Sequence, residues 1–432
     1  MKHKNIVIVM AVLLPRIAWF IYLGGYFPEP ERDQGIYLRL AGRIASSEGM
    51  SFSEDLGWLK NLRAGETSLE AAWNADPDYV FGMVPVETPT ASLEMGYPVI
   101  LALMFIIAGP TTGAVFLLNC VFALLGAWAL WRMVEENWGK KQAFLAALIW
   151  SIYPYYVYYS AYAMTDSIHI SMLPLIMWLT IRSVKTMKAG FPAGIVTGFL
   201  FLIRSTAVFL LPLQLFYLLL RKKWKTSLFL LAGFTVCCVP WVVRNQIELG
   251  SPVFLPTKGA LNLWMRNNPE IIAMEGIVVP GWIEDGINRR DLLKYPSMEG
   301  LNSELERSSV LSERANQFIF ANPVLFLYLS VIRFGLFISP VGGTISNPIF
   351  ILVGLFLYLP LLVLGTIEII RRRKDGKILF LASFFLVYLL MHSLAHGGIR
   401  YRLPVETVLI IASVLFVSRK LRWVEENNAC IQ

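Results

Sequence analysis

The chain has 432 residues, 56% of them hydrophobic and only 16% charged, with a mean hydropathy of +0.57. A water-soluble domain cannot bury that apolar share, so the composition defines an integral membrane protein. The 38 basic and 30 acidic residues leave a formal charge of +8, but the basic residues stand in short runs between apolar blocks, a topology signal and not a nucleic-acid patch. The blocks lack the two-residue alternation of a membrane β-barrel. Cys120, Cys237, Cys238 and Cys430 have no spacing that fits zinc or a disulfide framework.

The first apolar block, Ile6 to Leu23, follows Lys2 and Lys4 and precedes Gly24-Gly25-Tyr26, a poor cleavage site, so it reads as an uncleaved span. It opens into an acid-rich loop that holds Glu29, Glu31 and Asp33, within an outer segment 24–92. Three blocks follow, at about 97–109, 113–133 and 142–160, before a span at 166–181. Positive-inside bias places Arg182 to Lys188 in the cytoplasm, which requires an even number of crossings between the two. The 97–109 block has 13 residues, too few for a core of roughly 30 Å at about 1.5 Å per residue, so it is expected to be partial or re-entrant. Block 193–220 contains Arg204, costly at mid-bilayer, and is expected to break there into two short helices. After the block that ends near Arg244 comes a second outer segment to about residue 322, then an interfacial helix from Asn322 to Pro340, then spans at 348–370, 377–395 and 404–418. The expected architecture is an all-α polytopic bundle of about ten transmembrane helices with short interfacial helices. Both termini face the cytoplasm. Its parts are an amino-terminal module 1–243, an outer segment 244–347 and carboxy-terminal helices 348–432.

Five features collect on the outer side in this topology: Asp33, Thr165-Asp166, Arg204, Arg244-Asn245, and the run from His396 to Arg402. Carboxylates supply a general base or a metal ligand, and arginines grip phosphate through charge-assisted, often bidentate hydrogen bonds. Each feature also has a plainer account. Asp33 can be a solvated surface acid, Asp166 a helix-capping acid, Arg204 half of a structural pair, and Arg244 a snorkelling side chain. Arg400 and Arg402 lie where positive residues are disfavoured, which points to phosphate. His169 and His392 read as buried polar residues, and no His and carboxylate cluster has metal-ligand spacing.

The order of motifs resembles the GT-C class of membrane glycosyltransferases, in particular the family 39 and protein O-mannosyltransferase-like group that includes the lipid A aminoarabinose transferase. The stretches that carry it are Asp33 with Tyr37 and Ala41; Pro89-Thr90 and Gly96-Tyr97-Pro98; Tyr159-Ser160 through Thr165-Asp166; Gly198 through Arg204-Ser205-Thr206; Pro240-Trp241 with Arg244-Asn245, on to Leu261-Asn262-Leu263-Trp264; and Arg400-Tyr401-Arg402-Leu403-Pro404. Two departures stand out. Gln34 occupies the position after the loop aspartate where relatives often carry a second acid, and the chain ends soon after Arg422, without the further spans or soluble domain of some relatives.

The resemblance implies a polyprenyl-phosphate-linked sugar donor, a lipid, glycan or protein acceptor, and a multi-pass protein of prokaryotic plasma-membrane type with its site on the outer face. Inverting transfer needs a base opposite the leaving group, and Asp33 is the expected base, with Asp166 in support. Arg204, Arg244, Arg400 and Arg402 are the expected lipid-phosphate ligands. Tyr37, Asn262, Trp264 and Asn268 are expected to contact sugar or acceptor. A divalent metal is compatible with this chemistry and not required by it. A transporter or flippase of a lipid-linked sugar is the alternative from another class, although this chain has no visible repeat. An inactive scaffold subunit of an envelope-glycan complex is a third.

Overall fold

The computed structural model describes residues 2–25, 32–51, 88–268, 280–284, 300–341 and 348–421, almost all of them helical; an isolated antiparallel bridge joins Ser51 to Pro89. Among the described residues, six helices are long and apolar enough to cross a membrane: Lys4–Tyr22, Thr112–Trp138, Trp224–Leu249, Pro348–Arg371, Gly376–Leu394 and Ile399–Lys420. A seventh candidate is the pair Glu304–Ala321 and Pro323–Ile338, bent by 101°. The remaining expected crossings fall on shorter helices such as Met187–Ile203 and Ser205–Leu220 or on the more polar helix Thr165–Ser183.

Sequence chemistry accounts for the breaks. The 97–109 block is a 13-residue helix, Gly96–Ala108, ended by Gly109 at φ 79°. The chain breaks at Arg204, which adopts an extended conformation (φ −153°, ψ 108°) between helix Gly190–Ile203 and the 3-10 turn Ser205–Phe209. The expected single span 142–160 is instead two helices, Lys140–Ile152 and Pro154–Tyr159. Tyr153 is held at ψ 120° because the residue before a proline clashes in the helical region. The expected interfacial helix is Pro323–Ile338, but its Arg333 is buried and points inward, donating to the carbonyl oxygens of Arg266 (2.6 Å) and Leu394 (3.4 Å).

Two helices form the centre. Thr165–Ser183 and Ile399–Lys420 are buried on nearly every side, as expected of helices that are not amphipathic. Their amino-terminal ends carry Asp166 and Arg400. Beside them, helices Gly190–Ile203 and Trp224–Leu249 approach through a glycine stripe spaced four residues apart. A Cβ on Gly190 would meet the Thr226 carbonyl oxygen at 2.7 Å, one on Gly194 the backbone of Leu230 and Phe234 at 2.8 Å, and one on Gly198 the Cys237 Cβ at 2.8 Å. Without water to drive association, close backbone approach supplies the packing. This contact fixes the end of the Gly190–Ile203 helix and therefore Arg204.

Gly194→Leu should force these helices apart. A loss on the order of 1–3 kcal/mol is expected from overpacking, read as a lower thermal midpoint in detergent; an unchanged midpoint would exclude the stripe as a packing determinant.

Candidate functional site

Asp166 lies in the first turn of its helix, where the helix dipole favours an anion. Its side chain is only 2% exposed, and two guanidiniums converge on it. Arg204 donates from Nη1 to Oδ1 at 2.8 Å and to the Thr165 hydroxyl at 3.4 Å. Arg400 donates from Nε and Nη2 to Oδ2, both at 2.9 Å. The arginines are more open than the acid between them, at 14% and 24% side-chain exposure. The carboxylate orients two cations that are themselves partly exposed.

Aromatic rings wall this cluster. The Arg204 guanidinium lies 5.5 Å from the Tyr401 ring centroid, and Tyr401 stacks on His392 at 4.7 Å. His169, one turn after Asp166, shares a 2.5 Å hydrogen bond with the Tyr388 hydroxyl. Tyr37 meets Tyr97 edge-on at 5.0 Å, with Tyr97 in electrostatic reach of Asp166 and Tyr37 of Arg204. Outside the helices, burial and the neighbouring Arg266 guanidinium push the His396 imidazole down to about 3. It stays neutral and accepts from Arg266 Nε at 3.2 Å.

Asp33 stands at the start of helix Arg32–Ala45, with its side chain outside the described residues. Its neighbour Gln34 is fully buried and accepts from the Ala163 amide at 2.9 Å, three residues before Asp166. The position after the loop aspartate therefore pins this helix to the loop that leads into the Asp166 helix.

The other expected residues separate from the cluster. Arg402 is 0% exposed; it pairs with Glu406 at 2.6 Å, donates to the Phe337 (3.1 Å) and Ser339 carbonyl oxygens, and lies 3.4 Å over the Tyr358 ring. Arg244 donates to the carbonyl oxygens of Thr90 (2.7 Å) and Met50 (3.1 Å) and to Asn245 Oδ1 (2.9 Å). It lines a cleft of about 550 Å³ with Arg43, Ile44, Met95, Val99 and Trp241. Trp264 is buried, and Asn268 caps the same helix by donating to the Trp264 and Met265 carbonyl oxygens. Asn262 is half-buried on that helix. No group of three His, Cys, Asp or Glu side chains suited to a metal occurs among the described residues.

Two carboxylates went unnoticed in the sequence. Glu94 accepts from the Ser205 amide at 2.5 Å, next to Arg204. Glu304 is buried and accepts from the Thr90 hydroxyl (2.7 Å), the Ala91 amide (3.1 Å) and the Thr257 hydroxyl. Glu94 and Ser205 are 111 residues apart, and Glu304 and Thr90 are 214 apart. The one sequence signal is at Glu304, an acid in the first turn of a helix behind the capping-box residue Ser303.

This arrangement of helices, with polar side chains gathered at their ends, is GT-C-like, similar to the fold of solved oligosaccharyltransferases. The chain aligns over 100% of its length with the crystal structure of the Archaeoglobus fulgidus oligosaccharyltransferase in the apo form, at a TM-score of 0.56 and 12% identity. It also aligns over its whole length with the archaeal oligosaccharyltransferase AglB from Archaeoglobus fulgidus in complex with an inhibitory peptide and a dolichol-phosphate, at 0.54 and 14%. It covers 52% and 51% of those chains, about half their length. Residues 95–243 match the family model described as dolichyl-phosphate-mannose-protein mannosyltransferase. No curated protein matches the chain. The matched stretch contains Asp166 and Arg204, while Asp33, Arg400 and Arg402 lie outside it.

The two arginines near residue 400 should behave differently. Arg402→Ala leaves Glu406 buried without its partner and should cost on the order of 3–5 kcal/mol. Arg400→Ala, which leaves Asp166 paired with Arg204, should change the thermal midpoint far less; equal losses would show that the two play the same role.

Proposed function

We propose that the protein is a membrane glycosyltransferase that takes a sugar from a polyprenyl-phosphate donor and transfers it, with inversion, to an acceptor hydroxyl at the outer membrane face. The convergence of Arg204 and Arg400 on one buried carboxylate carries the reading. The structurally similar archaeal oligosaccharyltransferase AglB forms a complex with a dolichol-phosphate, which supports a lipid phosphate as the donor's headgroup.

In this reading, Asp33 takes the proton of the acceptor hydroxyl as its oxygen bonds to the anomeric carbon. The bond from that carbon to the phosphate oxygen breaks, and the departing polyprenyl phosphate gains negative charge. Arg204 and Arg400 stabilise that charge, held in place by Asp166, and the enzyme's gain is greatest where charge develops. Gln34 holds the Asp33 helix beside them through Ala163. Arg402 and Arg244, whose donors serve Glu406 and backbone carbonyls, leave the phosphate set. Trp264 and Asn268 serve the interior, and Asn262 remains the sugar-contacting candidate on that helix. The polyprenyl tail lies among the lipid-facing helices, where each buried methylene contributes on the order of 0.8 kcal/mol. The acceptor is the hydroxyl of a lipid, glycan or protein.

The test compares binding of a polyprenyl phosphate and the matched neutral polyprenol to protein in nanodiscs. Wild type should prefer the phosphate, and Arg204→Ala and Arg400→Ala should each lose on the order of tenfold or more of that preference, the scale of a charge-assisted hydrogen bond. Indifference of the wild type to the phosphate would sink the donor assignment. Asp33→Asn should bind the phosphate normally while transfer is abolished; ordinary turnover would exclude Asp33 as base.

A further inference from the structure

A short non-helical segment, residues 89–95, links the outer segments to the arginine cluster. At one end, the Arg244 guanidinium joins the carbonyl oxygens of Met50 and Thr90, and the Thr90 amide donates to the Met50 carbonyl at 2.9 Å. The Glu304 carboxylate holds the same segment from the opposite side, through the Thr90 hydroxyl and the Ala91 amide. Thr257 completes the junction: its hydroxyl donates to Glu304, its amide donates to the Ala91 carbonyl at 3.0 Å, and the Lys258 amide donates to the Ser92 carbonyl at 3.2 Å. A carboxylate this deeply buried is stable only because several donors satisfy its two oxygens.

At the other end, Glu94 accepts from the amide of Ser205, and Gly96 lies so close to the helix before Arg204 that a Cβ would meet the Leu202 carbonyl carbon at 2.7 Å and Ile203 Cγ1 at 3.1 Å. The segment and Gly96, which follows it, therefore meet the chain on both sides of Arg204. Arg204 sits in an extended conformation at a helix break, where the regular hydrogen-bond ladder is interrupted, so its placement leans on such outside contacts.

We propose that Glu304 is a positioning residue for Arg204, acting from the second outer segment through residues 90–94, so that the docking of that segment sets the phosphate grip. The functional half rests on the donor reading given above; the mechanical half does not.

Two measurements separate them. Hydrogen exchange of the amides at 204–207 should accelerate on the order of tenfold in Glu304→Ala, as local protection is lost. The preference for polyprenyl phosphate over polyprenol should fall by about ten- to a hundredfold in Glu304→Ala and in Glu94→Ala, the scale of a displaced binding group. Because both act through one segment, the double variant should lose no more than the worse single variant. Glu304→Gln, which keeps the shape and half the acceptors, should fall between and carries the test if the alanine variant is not recovered monodisperse. Unchanged exchange at 204–207 in folded protein overturns the proposal, as do losses that multiply in the double variant. A wild type indifferent to phosphate overturns the donor reading and with it the functional half, and exchange then still decides whether Glu304 holds Arg204.

Discussion

The buried Asp166 carboxylate is the constraint to which the rest of the structure answers. Removing a carboxylate from water costs several kcal/mol even after relaxation, and this one is compensated by two guanidiniums and a helix amino terminus. The compensation reaches across the chain. Arg204 comes from a helix break, and Arg400 from the first turn of helix Ile399–Lys420, 234 residues after Asp166. Three elements must therefore meet within hydrogen-bonding distance, and each is brought there by packing that is itself apolar.

That packing relies on closeness more than on apolar area. Lipid is as apolar as a leucine side chain, so helices gain little by hiding from it and gain instead from fitting one another. The stripe of Gly190, Gly194 and Gly198 brings the Trp224–Leu249 helix against the helix that ends at Arg204. Gly126 does the same farther along: a Cβ there would meet the Ser171 carbonyl oxygen at 2.7 Å, so the Thr112–Trp138 helix is seated against the helix that begins with Thr165 and Asp166. Small residues at these crossings set the depth at which the charged residues lie.

Much of this was legible in the sequence, for a physical reason. An arginine inside an apolar block and a block too short to cross are both violations of what a bilayer tolerates, and each correctly marked an irregularity, the break at Arg204 and the short helix Gly96–Ala108. The bend at Tyr153-Pro154 had its own signal in the proline, which hydropathy averaging hides. Arg400 and Arg402 were read together because the expected topology puts both on the side where positive charge is disfavoured. On a helix, residues two apart point about 200° away from each other. Arg400 turns to Asp166 and Arg402 to Glu406, an i,i+4 partner visible in the sequence once the helix is granted. The partners of Glu94 and Glu304 are backbone amides and hydroxyls far along the chain, so the helix-start signal at Glu304 marks an acid but does not tell a solvated one from one that will be buried, and Glu94 has no signal at all.

The same geometry bears on whether the site works by chemistry or by passage. A transporter alternates between two arrangements of its helices around the substrate, so the contacts among the moving parts must be exchanged at low cost. Here the bridge across the site is a buried ion pair in which one carboxylate serves arginines from two distant elements, and breaking such a pair without replacement costs several kcal/mol, on the order of 3–5. Glu304 and Arg244 add a second set of ties through residues 50, 90, 91 and 257. A headgroup bound beside such a hub meets charges already in place, and preorganised charge is worth most to a reaction in which charge appears on a departing phosphate. Rigidity of this kind would work against a transport cycle and suits the group transfer proposed for this protein.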